Sequence, residues 1–362
     1  MEALIAESLV ARAATRALAL VAAHFSWLRL SGLCTAAAIA YLYKISTLAN
    51  PKRDAPCIPF GGIFRILYGL FSTSLAHAVL GRLALTREGE PQAEGGDFDT
   101  RITTRGPPEL RVQLVPILGS LFGGNYSFLI WDEGDPQRRA VVVDPADPHV
   151  VLRAAAAEKL SVELRLTTHW HFDHSAGNSV FKRRLPALEV AASAAEAART
   201  PAVMRELLDL EELTCGRLTV RAHAVPGHTR GSMVYEVFNR AAPDAPHVAF
   251  TGDTLFCGGC GALFECSADT LHGSLGQLVQ RLRADTFLYP GHEYSEMLLT
   301  MALRKDPANA AARAKLADVR ARRRAKEPSL PSTLQEELGY NEYLAASRVE
   351  LAMLCGAVTP EQ

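Results

Sequence analysis

Neither charge sign is in excess in this sequence: 38 Lys and Arg stand against 39 Asp and Glu in 362 residues, a net of −1. A chain so balanced has no basic footprint for nucleic acid, and no such partner is expected. Cysteine is sparse and odd in number, 7 residues scattered over the whole length. That excludes a disulfide framework and suits reduced thiols in a cytosol or an organelle lumen. Clean apolar runs are short as well. A single membrane span needs roughly 20 apolar residues. Of the two apolar stretches near the N-terminus, Ala17 to Tyr43 is interrupted by His24 and Arg29, and the second, from Ile58 to Leu85, by Arg65 and Arg82.

What is present describes a globular protein, 48% hydrophobic and 21% charged. Residues 1–86 are expected to form an apolar helical segment that associates with a membrane, as a hairpin or an interfacial anchor whose Arg side chains reach toward water. A cleaved targeting segment and packed soluble helices are the competing readings. The first reading puts the protein on an intracellular membrane, that of an organelle such as a mitochondrion or plastid included. Residues 87–110 are polar and rich in Gly and Pro, which predicts a linker.

From Arg111 the texture changes. Short β-type runs (Val112 to Ile117, Tyr126 to Trp131, Ala140 to Val143, Val162 to Thr168) surround an Ala-rich helical stretch, Pro148 to Lys159. A second set follows at Leu218 to Val225, Met233 to Phe238, Val248 to Thr251 and Thr286 to Tyr289. Two strand clusters with intervening helices predict a layered α/β/β/α sandwich over 111–290. After Pro290 the strands stop. Ser295 to Arg304, Ala308 to Lys326 and Tyr340 to Leu354 predict a helical domain over 291–362. The basic run Arg320 to Lys326 fits a solvated helix face.

The strand ending at Thr168 runs into His169-Trp170-His171-Phe172-Asp173-His174. Crowded imidazoles and carboxylates are costly unless something satisfies them. In a turn, two of these side chains can share one side while Asp173 and His174 reach an adjacent position, which suits two metals. His228, Asp253 and His292 each follow a later strand within a Gly-containing turn. Loops at strand carboxyl ends are where α/β sheets build sites.

This order of ligands, H-x-H-x-D-H with a later His, Asp and His, resembles the metallo-β-lactamase superfamily from about Arg111 to His292. The resemblance implies that His169, His171 and His228 bind one divalent metal and Asp173, His174 and His292 a second, with Asp253 bridging. Zinc fits this donor set, and iron or manganese nearly as well. Thr251 to Glu265, Gly291-His292-Glu293-Tyr294, and Pro331 to Glu337 followed by Tyr340-Asn341 are similar to glyoxalase II, the hydroxyacylglutathione hydrolase. The similarity implies hydrolysis of a small-molecule thioester, a glutathione conjugate such as S-D-lactoylglutathione, with Asp173 orienting the attacking water. Tyr294, Phe264 and Arg348 are the implied substrate contacts. Where that family carries a Lys and a Tyr to hold glutathione, this chain has Ala262 and Phe264, a departure that touches the glutathione contacts and not the hydrolytic chemistry. The N-terminal arrangement resembles that of a membrane-associated member of the family. Cys257-x-x-Cys260 lacks the second pair that a zinc ribbon requires and belongs to the glycine-rich loop. A mononuclear-iron persulfide dioxygenase and an inactive membrane-bound scaffold are the alternative readings; the seven ligands argue against both.

Overall fold

The computed structural model describes residues 110–117 and 124–345, and the backbone of 103–105. The expected apolar segment 1–86, most of the linker and Arg348 lie outside the described residues.

Two sheets carry the fold. The first has seven strands in the order β1 (Thr103–Arg105), β2 (Leu110–Ile117), β3 (Asn125–Asp132), β4 (Arg139–Val143), β5 (Ser161–Leu166), β6 (Glu189–Ser193) and β7 (Arg205–Leu207). Pairing is antiparallel through β4 and parallel from β4 to β7. The second sheet is built from β8 (Glu212–Cys215), β9 (Leu218–Ala224), β10 (Met233–Asn239), β11 (Val248–Gly252), β14 (Phe287–Pro290) and β15 (Ser332–Thr333). A small hairpin, β12 (Leu255–Phe256) with β13 (Gly259–Cys260), follows β11.

Period-two alternation decides the layers. Phe128 and Ile130 of β3 face the second sheet and pack with Tyr235, Val237 and Phe250. Their neighbours Leu129 and Trp131 face the other way, onto α1 (Pro148–Ala157) and α3 (Asn178–Arg184) through Val151, Ala154 and Phe181. On the far side of the second sheet, Val234, Ala249 and Leu288 meet Leu271, Leu275 and Leu278 of α4 (Ala268–Arg281). The result is helix, sheet, sheet, helix. Local sequence starts these helices: Asp147 caps α1 ahead of Pro148, and Ser267 caps α4 through the Thr270 N–H.

The C-terminal region is helical, with α5 (Ser295–Lys305), α6 (Ala310–Arg324), α7 (Leu334–Tyr340) and α8 (Glu342–Ala345). Three details differ from the sequence reading. Thr103–Arg105, inside the expected linker, pairs with β2. Ser332–Thr333, inside the expected helical domain, adds an edge strand to the second sheet beside β14. Tyr340 ends a helix rather than starting one: a Thr333–Glu336 capping box starts α7, and Asn341 leaves the helical conformation to bond the β12–β13 hairpin.

Candidate metal centre

Strand β5 ends at Leu166 rather than at Thr168: Thr167 N–H still bonds the Ala191 carbonyl, but Asp144, just after β4, captures Thr168. Its carboxylate accepts from the Thr168 N–H at 2.7 Å and the Thr168 hydroxyl at 2.6 Å. The chain then turns through His169, Trp170 and His171 into α2 (Phe172–Ser175). His228 follows β9, Asp253 follows β11 and His292 follows β14. All seven expected ligands are buried, and Asp253 at 9% is the most exposed of them.

Three groups of side chains each bring one ligand atom per residue within 4.8 Å of one another: His169, His171 and His228; His169, His174 and Asp253; Asp173, His174 and His292. His169 Nε2 and His228 Nε2 stand 2.9 and 3.0 Å from His171 Nδ1. His174 Nε2 is 3.4 Å from Asp253 Oδ1, and His292 Nε2 is 3.3 Å from Asp253 Oδ2 and 3.5 Å from Asp173 Oδ2. Asp253 Oδ2 is also 3.6 Å from His228 Nε2, so this carboxylate faces both halves. Donor atoms on a tetrahedron about 2.0–2.1 Å from zinc lie roughly 3.3 Å apart, close to these separations.

The protons point the right way for a cation. The His228 Nδ1–H donates to the Ala262 carbonyl at 2.8 Å, which can only accept. The His174 Nδ1–H donates to Asp144 Oδ2 at 2.8 Å. His169 Nδ1 lies 3.1 Å from Thr168 Oγ1, whose own proton goes to Asp144. Each ring therefore directs inward its Nε2, the atom whose lone pair a cation would take in place of a proton. One proton could serve only one of the two short contacts at His171 Nδ1; a cation serves both. His174 Nε2 and Asp253 Oδ1 are buried without a hydrogen-bond partner and face each other. The residues fit divalent metal.

Electrostatics agree. Burial, reinforced by neighbouring rings, holds His169 and His171 well below the usual imidazole range, and burial also lowers His228. Neutral imidazole is the ligand form. Burial opposes charge on His174, yet Asp253, Asp173 and Asp144 outweigh it and push that ring up to about 10. Three carboxylates thus call for a positive charge, and in a metal-loaded centre the metal supplies it in place of the proton.

Phe264 stands edge-on to His171 and His228, with centroids 5.6 and 4.9 Å away. Tyr294 stacks on His292 at 4.6 Å, with Phe256 against both. The two described candidates for substrate contact therefore border different halves of the centre.

Several residues that support the site were not anticipated. Besides Asp144, Asn125 donates to Asp173 Oδ2 at 3.2 Å, at the start of a strand that bridges to His292. Glu196 and Glu265 bind Trp170 between the two histidines. Burial pushes Glu196 up to about 7 against the pull of its three donors. Only Asp144, ending a β-run before Pro145, left a readable local signal.

Residues 121–292 match the metallo-beta-lactamase superfamily, and residues 293–361 match the hydroxyacylglutathione hydrolase C-terminus. The chain is 37% identical over 239 residues to the cytoplasmic hydroxyacylglutathione hydrolase of Arabidopsis thaliana, covering 65% of this chain and 90% of that one. It belongs to the hydroxyacylglutathione hydrolase family. A hydroxyacylglutathione hydrolase-like protein of Gallus gallus is 35% identical over 251 residues, 69% of this chain and 86% of the relative. Among solved structures, one described as ETHE1 from Myxococcus xanthus is similar at 24% identity and a TM-score of 0.49, over 68% of this chain and 92% of that chain. Hydroxyacylglutathione hydrolases are thioester hydrolases, and the metallo-β-lactamase fold implies divalent metal ions where these His and Asp groups converge.

Proposed function

We propose that this chain hydrolyses a glutathione thioester at a dinuclear centre, with zinc the preferred metal and iron or manganese the alternatives. The observation that carries the reading is the convergence of seven buried His and Asp side chains, Asp253 facing both halves. In this reading His169, His171 and His228 hold one metal, Asp173, His174 and His292 the other, and Asp253 bridges. Bound there, two divalent cations would supply the Lewis acidity that activates a water near neutral pH and polarises the thioester carbonyl.

The chain's own residues do the rest. The Asp173 carboxylate, steadied by the Asn125 amide, accepts a hydrogen bond from the attacking water and orients it. Phe264, Phe256 and Tyr294 wall the two halves and limit competing water. The water's C–O bond forms as the C–S bond breaks, giving a carboxylic acid and a thiol. A thiol pKa of about 8.5 makes the departing thiolate a good leaving group, so no strong acid is needed. Arg348 is a candidate contact for the thiol carrier.

The test is metal content together with hydrolysis of S-D-lactoylglutathione by the full chain. About two metals per chain with turnover is expected. Two metals without turnover would redirect the search to other thioesters, and a single iron with oxygen-dependent turnover would favour a persulfide dioxygenase.

We further propose that 1–86 attaches the enzyme to an intracellular membrane. Among the described residues no helix is long and apolar enough to cross one. Sedimentation with membranes that is lost when 1–86 is deleted supports the attachment; unchanged partition counts against it.

A further inference from the structure

Trp170 lies between His169 and His171 and is held on every side. Its backbone N–H donates to Glu196 Oε1 at 2.7 Å, and its indole N–H to Glu265 Oε1 at 3.2 Å. Its carbonyl accepts from Ser175 Oγ at 2.7 Å, and the Arg199 guanidinium covers its ring at 3.5 Å. A tryptophan held this way fixes the backbone of its two neighbours.

The grip on the peptide N–H has a second end. Glu196 Oε2 accepts from the Thr229 hydroxyl at 2.9 Å and the Gly231 N–H at 3.0 Å. Thr229 follows His228 directly. One carboxylate thus joins the turn carrying His169 and His171 to the loop carrying His228, although the two are far apart in sequence. Glu196 is 3% exposed, and a Cβ on Gly231 would stand 2.5 Å from its Cγ, so the loop is seated directly on this side chain. Nothing else in the proposed chemistry uses Glu196.

We propose that Glu196 is a positioning residue for the first half of the metal centre: by bonding both loops it sets the separation of the His169, His171 and His228 nitrogens, and with it the metal affinity there. This rests on the reading of those three histidines as ligands. Partners that orient metal ligands typically account for ten- to hundredfold in affinity. Three good bonds to one buried carboxylate belong at the upper part of that range.

The experiment is zinc titration of the full chain against a chromophoric chelator, with melting temperatures measured with and without zinc. The proteins are the wild type, Glu196→Ala, Glu196→Gln, Thr229→Val and, as control, His228→Ala. The wild type should bind about two zinc ions. Glu196→Ala should weaken one site by roughly ten- to hundredfold, as His228→Ala does more severely, and gain less melting temperature from zinc. Glu196→Gln, which keeps an acceptor for only one of the two loops, should recover part of the affinity. Thr229→Val removes one bond of three and should show the smallest loss. If Glu196→Ala does not fold, Glu196→Gln and Thr229→Val carry the test, and wild-type affinity in both overturns the proposal. Wild-type affinity in Glu196→Ala, with melting lowered equally with and without zinc, makes the residue merely structural and overturns this inference alone. A wild type that binds no zinc, unchanged by His228→Ala, overturns the metal reading and this inference together.

Discussion

Asp144 Oδ2 lies 2.8 Å from His174 Nδ1 and 2.6 Å from Thr168 Oγ1, while Oδ1 takes the Thr168 N–H. Three donors converge on one buried carboxylate that sits at φ 49°, a left-handed conformation Asp tolerates better than most residues. The carboxylate ends β5 and sets the His174 tautomer. An amide at this place offers one acceptor oxygen and turns an NH2 toward a donor. Asp144→Asn should therefore reduce zinc affinity about ten- to hundredfold, read by chelator competition. Undiminished affinity would mean that His174 is oriented by something else.

Gly291 shows how little room the centre leaves. A Cβ there would stand 2.6 Å from His174 Cε1 and 2.9 Å from Asp253 Oδ1. The backbone cannot retreat, because Gly291 N–H bonds the Gly252 carbonyl and its own carbonyl accepts from Tyr126 N–H, both at 2.9 Å. Something among the ligands must shift by several tenths of an ångström. Misplacement near 1 Å can cost about 100-fold in rate, so Gly291→Ala should lower kcat by about 10- to 100-fold while the protein still folds. Steady-state kinetics with a circular-dichroism melt checks it, and an unchanged kcat would argue that the loop is softer than its hydrogen bonds imply.

The ligands were legible in the sequence because four crowd into His169 to His174 directly after a strand run, and His228, Asp253 and His292 each stand in a short glycine-containing turn after a later one; strand periodicity survives in local sequence. Their supports were not, because Glu196, Asn125 and Glu265 act on residues far away along the chain, and a carboxylate's partner cannot be read from its neighbours. The helix Ala268–Arg281 is weakly marked in local sequence for another reason. Leu271, Leu275, Leu278 and Leu282 have helical spacing, but Gly273 and Gly276 interrupt the propensity; both stand where an added Cβ would meet nothing within 4 Å. Burial of the leucine stripe overrides two exposed glycines. In the C-terminal region, the break at Asn341 depends on the hairpin that its amide bonds, which no local pattern announces.

Away from the centre, Glu236 joins two histidines, His223 Nε2 at 2.9 Å and His247 Nδ1 at 2.6 Å. Burial alone would raise this carboxyl, but the two hydrogen bonds and the histidine charges outweigh it and bring it from 4.5 down to about 2. The folded value lies below the unfolded one, so the stabilisation is fully present above pH 4.5 and is lost as pH falls toward 2. A shift of this size corresponds to about 3 kcal/mol. Glu236→Gln should flatten the fall of stability between those pH values, measured by urea midpoints across the range. An unchanged acid slope would place the loss on other carboxylates.

Glu337 of α7 is fully buried and ties the C-terminal region to the loop after Asp253. It accepts from the Gly258 N–H at 2.9 Å and from the Ser332 hydroxyl at 2.5 Å, and also bonds Tyr340 and Asn341. Gly258 belongs to the β12–β13 hairpin at φ 85°, and the same loop runs on to Ala262, whose carbonyl holds His228. Removing the carboxylate leaves several buried donors unpaired, each costing about 1–3 kcal/mol. Relaxation recovers part of that, so Glu337→Ala should destabilise the protein by about 3 kcal/mol, with a smaller loss for Glu337→Gln, which keeps one acceptor. Urea unfolding measures both. If the C-terminal region also governs the catalytic loop, kcat should fall in Glu337→Ala under conditions where the protein remains fully folded, because the His228 support loosens with the hairpin. A variant that loses stability but keeps kcat would confine Glu337 to joining the two parts of the structure and leave His228 held by its own loop alone.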